Sequence, residues 1–153
     1  MTTPVLSQRP VLLVDDEPAL LRSASLLLRA AGMTPILTLD DSRQVLSRLA
    51  DDPIGVVVLD LTMPYLSGQA LLEQITTYDP DLPTIVMTAT QDLETAVQCM
   101  QAGAIDYLVK PVEKDRLVAS VRRALDLRAL REAMGAPAIA RLPRKPSSTR
   151  SRT

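Results

Sequence analysis

The sequence predicts an α/β fold in which five parallel β-strands form one sheet with helices on both faces. Short apolar segments alternate strictly with longer amphipathic ones, and the short segments are mostly apolar on both faces, as expected of strands covered from both sides. The 153 residues have the size of one globular domain. The five apolar segments are VLLV (11–14), TPILTL (34–39), IGVVVL (54–59), TIVMT (84–88) and DYLVK (106–110).

The amphipathic segments predict five helices. In the first, Pro18 suits the opening turn and Gly32 a C-terminal stop. Pro35 predicts that the second strand is an edge strand or begins after the proline. The predicted helices span 18–31, 41–50, 67–78, 92–102 and 113–133.

The fourth helix has a clear apolar stripe. Asp92 can cap its N-terminus, and Gly103 can end it. The stripe is expected to face the core, which leaves Cys99 as a plain surface thiol. It consists of Leu93, Ala96, Val97 and Met100.

Composition excludes several functions. Without histidine, and with a single cysteine, the chain cannot form a histidine-activated nucleophile, a thiolate cluster or an internal disulfide. The absence of Trp and Phe argues against base stacking on nucleic acid. There is no signal-peptide core and no apolar run near the roughly 18 residues that cross a bilayer, so we expect a cytoplasmic protein without membrane contact.

Charge is unevenly distributed although its sum is −1. Residues 1–127 carry 10 basic and 17 acidic side chains, a net charge of −7, whereas residues 128–153 carry 7 basic and 1 acidic, a net charge of +6. The segment from Gly135 onward contains three prolines and has no periodicity. It is predicted to be a disordered tail or a linker.

Polar side chains follow four of the five strands. The first strand ends in Asp15-Asp16-Glu17, the third in Asp60, the fourth in Thr88 and the fifth in Lys110. Ligands of open α/β sheets bind at the carboxyl ends of the strands, so these side chains predict a site there.

The acidic residues of this edge need a counter-charge. Carboxylates about 5 Å apart repel by roughly 3 kcal/mol per pair at an effective dielectric near 20. Lys110 supplies one positive charge, and Mg²⁺ suits the rest because it prefers a few carboxylates together with water and phosphate oxygens. Asp60 could then attack phosphorus as a nucleophile.

Over about residues 9–127, the sequence resembles the receiver domain of two-component response regulators, most closely the NtrC type. The matching motifs are LLVDDE (12–17), VVLDLTMPYLSG (57–68), IVMTAT (85–90) and AGAIDYLVKP (102–111). The resemblance implies a flavodoxin-like (βα)₅ fold with strand order 2-1-3-4-5. It also implies that the Lys110-Pro111 bond is cis.

The resemblance assigns roles to individual residues. Asp60 would accept phosphate from a sensor histidine kinase, Asp16 would bind Mg²⁺ directly, and Asp15 would act largely through water. The backbone carbonyl of Thr62 would be a further metal ligand, and Lys110 would pair with the phosphoryl group.

The resemblance also implies a switch. Thr88 would bond a phosphoryl oxygen, and Tyr107 would turn into the space that this movement leaves. The surface of the fourth helix, fifth strand and fifth helix would then change for dimerisation or partner binding. Thr62 and Thr90 would tune hydrolysis of the phosphate. The receiver itself is not expected to be an enzyme or to bind DNA.

The fifth helix is predicted to continue past the receiver. Leu127, Leu130 and Met134 have i, i+3, i+7 spacing, which suits a short coiled coil or a frayed end. The domain prediction is therefore a receiver at 9–127, an extended helix or linker at 128–134, and a tail at 135–153.

Two alternatives stay open. A Mg²⁺-dependent aspartyl phosphatase would usually carry a second Asp two residues after its nucleophile, where this sequence has Thr62. A phosphate-independent interaction module could use the same fold. A nucleotide-binding domain is disfavoured because neither GxGxxG nor GxxxxGK[ST] occurs.

Overall fold

The computed structural model describes residues 9–33, 35–89 and 91–139, with side chains described as far as residue 134. Within these ranges, strands and helices alternate as predicted. The elements are β1 (Val11–Val14), α1 (Pro18–Ala30), β2 (Ile36–Leu39), a 3₁₀ turn (Ser42–Gln44) leading into α2 (Val45–Asp51), β3 (Val56–Asp60), α3 (Gly68–Tyr78), β4 (Thr84–Thr88), α4 (Leu93–Gln101), β5 (Asp106–Val109) and α5 (Lys114–Ile139).

The strands form one parallel sheet in the order β2-β1-β3-β4-β5, which confirms the predicted topology. β2 is an edge strand and begins at Ile36, directly after Pro35, because proline has no N–H to donate to the ladder. None of the described helices combines the length and apolarity needed to span a bilayer.

Two apolar layers cover the sheet. One joins alternate strand residues such as Leu12 and Leu59 to α2, α3 and α4. The other joins the intervening residues, such as Leu13 and Val58, to α1 and α5. Each strand therefore sends successive side chains to opposite layers, which determines on which side of the sheet each site residue lies.

The predicted inward face of α4 is wrong. Leu93, Val97 and Met100 are 76%, 44% and 46% exposed, whereas Cys99 is fully buried and its thiol pKa is raised by burial. The residues of α4 nearest the core are small: Cys99 is preceded one turn earlier by the partly buried Ala96 and followed, just beyond the end of the helix, by the partly buried Ala102. The large apolar side chains form an outward stripe instead.

The last helix is longer than predicted and its extension is attached to the body. The helix runs to Ile139, five residues beyond the predicted linker end at 134, while residues 140–153 lie outside the described residues. Arg128 forms an ion pair with Asp79 at 3.2 Å, and Arg131 donates to the carbonyl of Asp81 at 3.1 Å. Arg9 pairs with Glu132. These contacts fix the direction in which the helix leaves the sheet.

Candidate functional site

The site lies at the carboxyl edge of the sheet, where three charged residues meet. Asp15 directly follows β1, Asp60 is the last residue of β3, and Lys110 directly follows β5. Each lies two residues after a strand residue of the α1/α5 layer, so the pleat directs all three side chains to the same side. The sheet thereby brings together residues up to 95 positions apart.

Lys110 bridges two of the carboxylates. Its Nζ lies 2.8 Å from Asp15 Oδ2 and 3.4 Å from Asp60 Oδ1. Asp15 is held further by the backbone N–H of Glu17, which donates to Oδ1 at 2.9 Å. The Lys110-Pro111 bond that follows is cis, as the sequence resemblance implied.

A third carboxylate completes the cluster. Oxygens of Asp15, Asp16 and Asp60 all lie within 4.8 Å of one another. Asp15 and Asp60 are 0% and 4% exposed, whereas Asp16 is exposed. The cluster therefore reaches from the protein interior to solvent at Asp16, which leaves a route by which a ligand can enter.

Burial and charge oppose ionisation of Asp60. Burial raises the pKa of this carboxyl and the neighbouring charge of Asp15 raises it further, while Lys110 and the Thr62 N–H only partly counteract them. Burial by itself would lower the pKa of Lys110, but its hydrogen bonds and charge interactions with Asp15 and Asp60 outweigh it and raise the pKa. One firmly protonated ammonium thus faces three carboxylates, and negative charge remains in excess.

The donor set fits a hard divalent cation. The cluster offers only carboxylate oxygens, two of them buried, and carboxylate oxygens are what Mg²⁺ prefers. The backbone N–H of Thr62 donates to Asp60 Oδ1 at 3.3 Å, so the loop after β3 folds over this carboxylate. The part assigned to the Thr62 carbonyl stays a prediction.

Thr88 and Tyr107 lie on the other side of the sheet. Thr88 is 2% exposed and follows Met87, the residue paired with Asp60. It shares the side of β4 that carries Val86, which is paired with Tyr107 of β5. Tyr107 is half-buried against the α2-α3-α4 layer, and burial raises its pKa. Thr90 lies outside the described residues.

Sequence reasoning missed the tight contact that closes the loop after Asp60. A Cβ on Gly68 would lie 2.4 Å from Leu61 Cα and 2.7 Å from the Asp60 carbonyl oxygen. The Gly68 N–H donates to the Leu61 carbonyl at 3.0 Å. The glycine of YLSG is the one signal in the sequence that could have indicated this close approach.

The family model described as "Response regulator receiver domain" matches residues 11–122 of the chain. The chain belongs to this family. Solved receivers have the same fold: the receiver of NtrX from Brucella abortus has a TM-score of 0.71 at 32% identity, covering 76% of this chain and 98% of that one. A CheY-like receiver from Methanospirillum hungatei has a TM-score of 0.75 at 26% identity, covering 80% and 98%.

Curated relatives of the receiver include transcriptional regulators. The C4-dicarboxylate transport transcriptional regulatory protein DctD of Pseudomonas aeruginosa is 45% identical over 124 residues, which are 81% of this chain and 27% of that protein. The DNA-binding transcriptional regulator NtrC of Salmonella typhimurium is 42% identical over 115 residues, 75% and 24%. The chain thus spans about a quarter of the length of these relatives, and the NtrC-type resemblance is confirmed.

Proposed function

We propose that this receiver is a phosphorylation-controlled signalling module that accepts a phosphoryl group from a sensor histidine kinase on Asp60. The observation that carries the proposal is the position of Asp60: buried, 3.4 Å from Lys110, and within 4.8 Å of two further carboxylates. Few other functions explain why a fold would place an ionisable nucleophile there.

In the transfer, a carboxylate oxygen of Asp60 forms a bond to phosphorus while the P–N bond of the donor phosphohistidine breaks. The imidazole nitrogen keeps the electron pair and takes up a proton. Lys110 already contacts Asp60 and would compensate the charge of the phosphoryl oxygens, as would the hydroxyl of Thr88 by hydrogen bonding. The receiver would assist both its own phosphorylation and its own dephosphorylation, which would be slow. It would not act as an enzyme on other substrates.

The residues that would hold Mg²⁺ are Asp15, Asp16, Asp60 and the backbone carbonyl of Thr62. When bound, the ion supplies the positive charge that lets the carboxylates and a phosphoryl group share one site. The excess of carboxylates over the single ammonium of Lys110 supports this assignment.

Phosphorylation would shift the receiver between two packings. An acyl phosphate carries about −1.5 to −2 charge in place of the carboxylate's −1, together with three acceptor oxygens, which would attract Thr88 toward the edge of the sheet. Tyr107, half-buried on the same side, would turn into the space that is vacated. The exposed stripe of α4 borders this region, so its surface would report the change to partners.

A groove beside the site suits the kinase. It has a volume of about 430 Å³ and is lined by α1, by the start of α5 and by the segment between β5 and α5. Its lining includes the apolar Leu20, Leu27 and Leu117 together with Lys110. A partner helix seated there would contact Lys110, which lies 3.4 Å from Asp60, and this supports assigning the groove to the phosphodonor protein.

The extended part of α5 supports a homodimer. Leu130 and Met134 are 55% and 72% exposed and share a heptad seam with Leu127. Asp126 and Arg131 then occupy g and e positions, whose charges attract across a parallel pair and would meet their own kind in an antiparallel pair. We therefore assign 9–127 to the receiver and 128–134 to a dimerising linker helix.

The relatives' names support an output in transcription, and we place the protein in a cytoplasmic two-component pathway whose output lies in another domain or protein.

The phosphatase alternative shares with the proposed function only an aspartate that attacks phosphorus. Position 62 is a threonine, which cannot act as the second acid of such a phosphatase. Steady turnover of phosphomonoesters would therefore be needed to support the phosphatase alternative.

The test is intact-mass spectrometry after incubation with acetyl phosphate. The expected result is one phosphoryl adduct that requires Mg²⁺ and is absent from Asp60→Asn. Asp81→Asn, an exposed carboxylate elsewhere on the surface, is the matched control and should be modified like the natural sequence. An adduct that persists in Asp60→Asn contradicts the proposal. Unchanged partner binding with or without phosphate would favour the interaction-module alternative.

A further inference from the structure

Tyr65 has an unusual backbone conformation in the loop after the phosphoacceptor. Its φ is +72°, the left-handed region in which the Cβ of a bulky residue crowds the backbone. It is the one non-glycine residue with positive φ in the part of the chain that the structure describes. Its side chain is 74% exposed, so burial of the ring does not hold it there.

A charged side chain from the turn after β2 holds the ring instead. The guanidinium carbon of Arg43 lies 3.7 Å from the centroid of the Tyr65 ring, a cation–π contact. Arg43 is itself fixed by Asp41, whose two oxygens accept from Nε at 3.0 Å and from a terminal nitrogen at 2.8 Å. The cation therefore faces the ring from a defined position.

The same turn also forms a hydrogen bond to the backbone beside Tyr65. Ser42 is 1% exposed, and its hydroxyl donates to the Leu66 carbonyl at 2.9 Å. We call Asp41, Ser42, Arg43 and Tyr65 the clasp. It joins the turn after β2 to the tip of the loop after β3 through one ring contact and through the Ser42 hydroxyl, which lies 2.9 Å from the Leu66 carbonyl oxygen and 3.4 Å from that of Pro64.

The loop that the clasp holds leads directly to the metal site. Its first residues follow Asp60, and the Thr62 N–H donates to the Asp60 carboxylate. Its far end is closed onto Leu61 by the Gly68 N–H at 3.0 Å. With both ends fixed, a change in backbone conformation at Tyr65 has to be absorbed by the few residues between, which include Thr62.

We propose that the clasp positions the phosphoacceptor loop for cation binding, with Arg43 and Tyr65 as positioning residues that hold Thr62 over Asp60. This inference rests on the proposed Mg²⁺ site. The strained backbone at Tyr65 would relax without Arg43, and the loop would then leave the arrangement that the cation needs.

The test is isothermal titration calorimetry of the unphosphorylated protein with MgCl₂. Arg43→Ala and Tyr65→Ala should each weaken Mg²⁺ binding about threefold to tenfold. Tyr65→Phe keeps the ring and should bind like the natural sequence. Tyr65→Gly removes the strain together with the ring, because glycine adopts positive φ freely, and should recover most of the affinity that Tyr65→Ala loses.

The decisive comparison uses two backgrounds. Arg43→Ala should weaken binding in the natural sequence and have no effect beside Tyr65→Gly, whereas Arg48→Ala, on the same turn-and-helix segment but paired with Asp52, should have no effect in either. Equal Mg²⁺ affinity of Arg43→Ala and the natural sequence overturns the clasp. Absence of Mg²⁺ binding by the natural sequence overturns the proposed function itself, so the two failures are distinguishable.

Discussion

At the residue scale, the site gathers charges that the fold alone does not favour. Asp60 and Asp15 are buried side by side with one lysine between them, and a buried carboxylate is costly unless its charge is compensated. The cluster is therefore expected to lower the free energy of unfolding when no cation is bound. Single substitutions can measure this effect on the free energy of unfolding.

Asp60→Asn should raise the free energy of unfolding by about 1 kcal/mol in metal-free buffer, because it removes a buried charge and its repulsion with Asp15. Urea denaturation at neutral pH measures the change. The gain should shrink when Mg²⁺ is added, since the cation stabilises only the natural cluster. Asp81→Asn should change the stability by less than about 0.5 kcal/mol. Destabilisation by Asp60→Asn would contradict this view of the site.

Asp106 shows the opposite balance. Burial by itself would raise its pKa, but hydrogen bonds from Arg116, Ser120 and the Tyr107 N–H together lower it below the ordinary value of 3.8. Arg116 donates to both carboxylate oxygens at 3.0 Å, and Arg123 adds a contact at 2.9 Å. The ionised form of Asp106 is therefore stabilised by folding.

Because the folded pKa of Asp106 is lowered, its contribution to stability is present above pH 3.8 and is lost as the pH falls through the lower folded value. Asp106→Asn should cost about 1–2 kcal/mol of unfolding free energy at pH 7, and the cost should diminish below pH 3.8. Urea denaturation curves across this range check it. A cost that is the same at pH 7 and pH 3 would show that packing, not charge, is lost.

Single residues also show where sequence reasoning ends. The positions of Asp15, Asp60 and Lys110 could be predicted, because carboxyl strand ends of a parallel sheet share one edge. The contact of Arg43 with Tyr65 could not, since neither the positive φ nor the proximity of two loops follows from local pattern.

At the element scale, the start of α3 determines the geometry of the loop that follows β3. Ser67 caps the helix by accepting from the Ala70 N–H, and Gly68 lets its first turn approach the end of β3. No Cβ fits there without moving backbone atoms. The element and the site are therefore coupled at one residue.

Gly68→Ala should destabilise the protein by about 2–3 kcal/mol and should reduce phosphorylation by acetyl phosphate, because the added methyl group displaces Leu61 and Asp60. Gly32→Ala is the matched control: its φ is +90° but nothing lies within 4 Å of the added carbon. It should cost about 1 kcal/mol and leave phosphorylation unchanged. Thermal unfolding together with intact-mass analysis separates the two effects, and equal phosphorylation of both variants would argue against the coupling.

Elements were predictable to different degrees. The strands followed from their short apolar runs, and their boundaries moved by one or two residues: β2 starts after Pro35, β3 covers Val56–Asp60 instead of 54–59, and β5 ends at Val109. The inward face of α4 was wrong because the periodicity counts large side chains, whereas this helix packs through Cys99 and partly buried alanines. Its large apolar residues stay outside, where a partner can reach them.

At the scale of the whole molecule, α5 extends beyond the part of the chain that matches the receiver family, from residue 122 to Ile139. One side of its extension is bound to the body through Arg128, Arg131 and Glu132, while Leu130 and Met134 remain exposed. The body thus fixes the orientation of the helix, and the seam of the proposed homodimer stays accessible.

Leu130→Glu should abolish self-association through this seam, because a charge at its centre cannot be buried without a partner. Sedimentation velocity at a series of concentrations measures the change. Leu26→Glu, on α1 and 69% exposed, is the matched control and should self-associate like the natural sequence. A Leu130→Glu variant that still dimerises would move the interface to another surface, such as the stripe of α4.

The proposed signalling function depends on Asp60 being the residue that carries phosphate. Borohydride reduction after incubation with acetyl phosphate and Mg²⁺ converts a phosphorylated aspartate to homoserine, which peptide sequencing by mass spectrometry can locate. Phosphorylation of Asp60 predicts homoserine at position 60 and at no other aspartate. Homoserine at position 15 or 16, or phosphate found only on hydroxyl side chains, would contradict it.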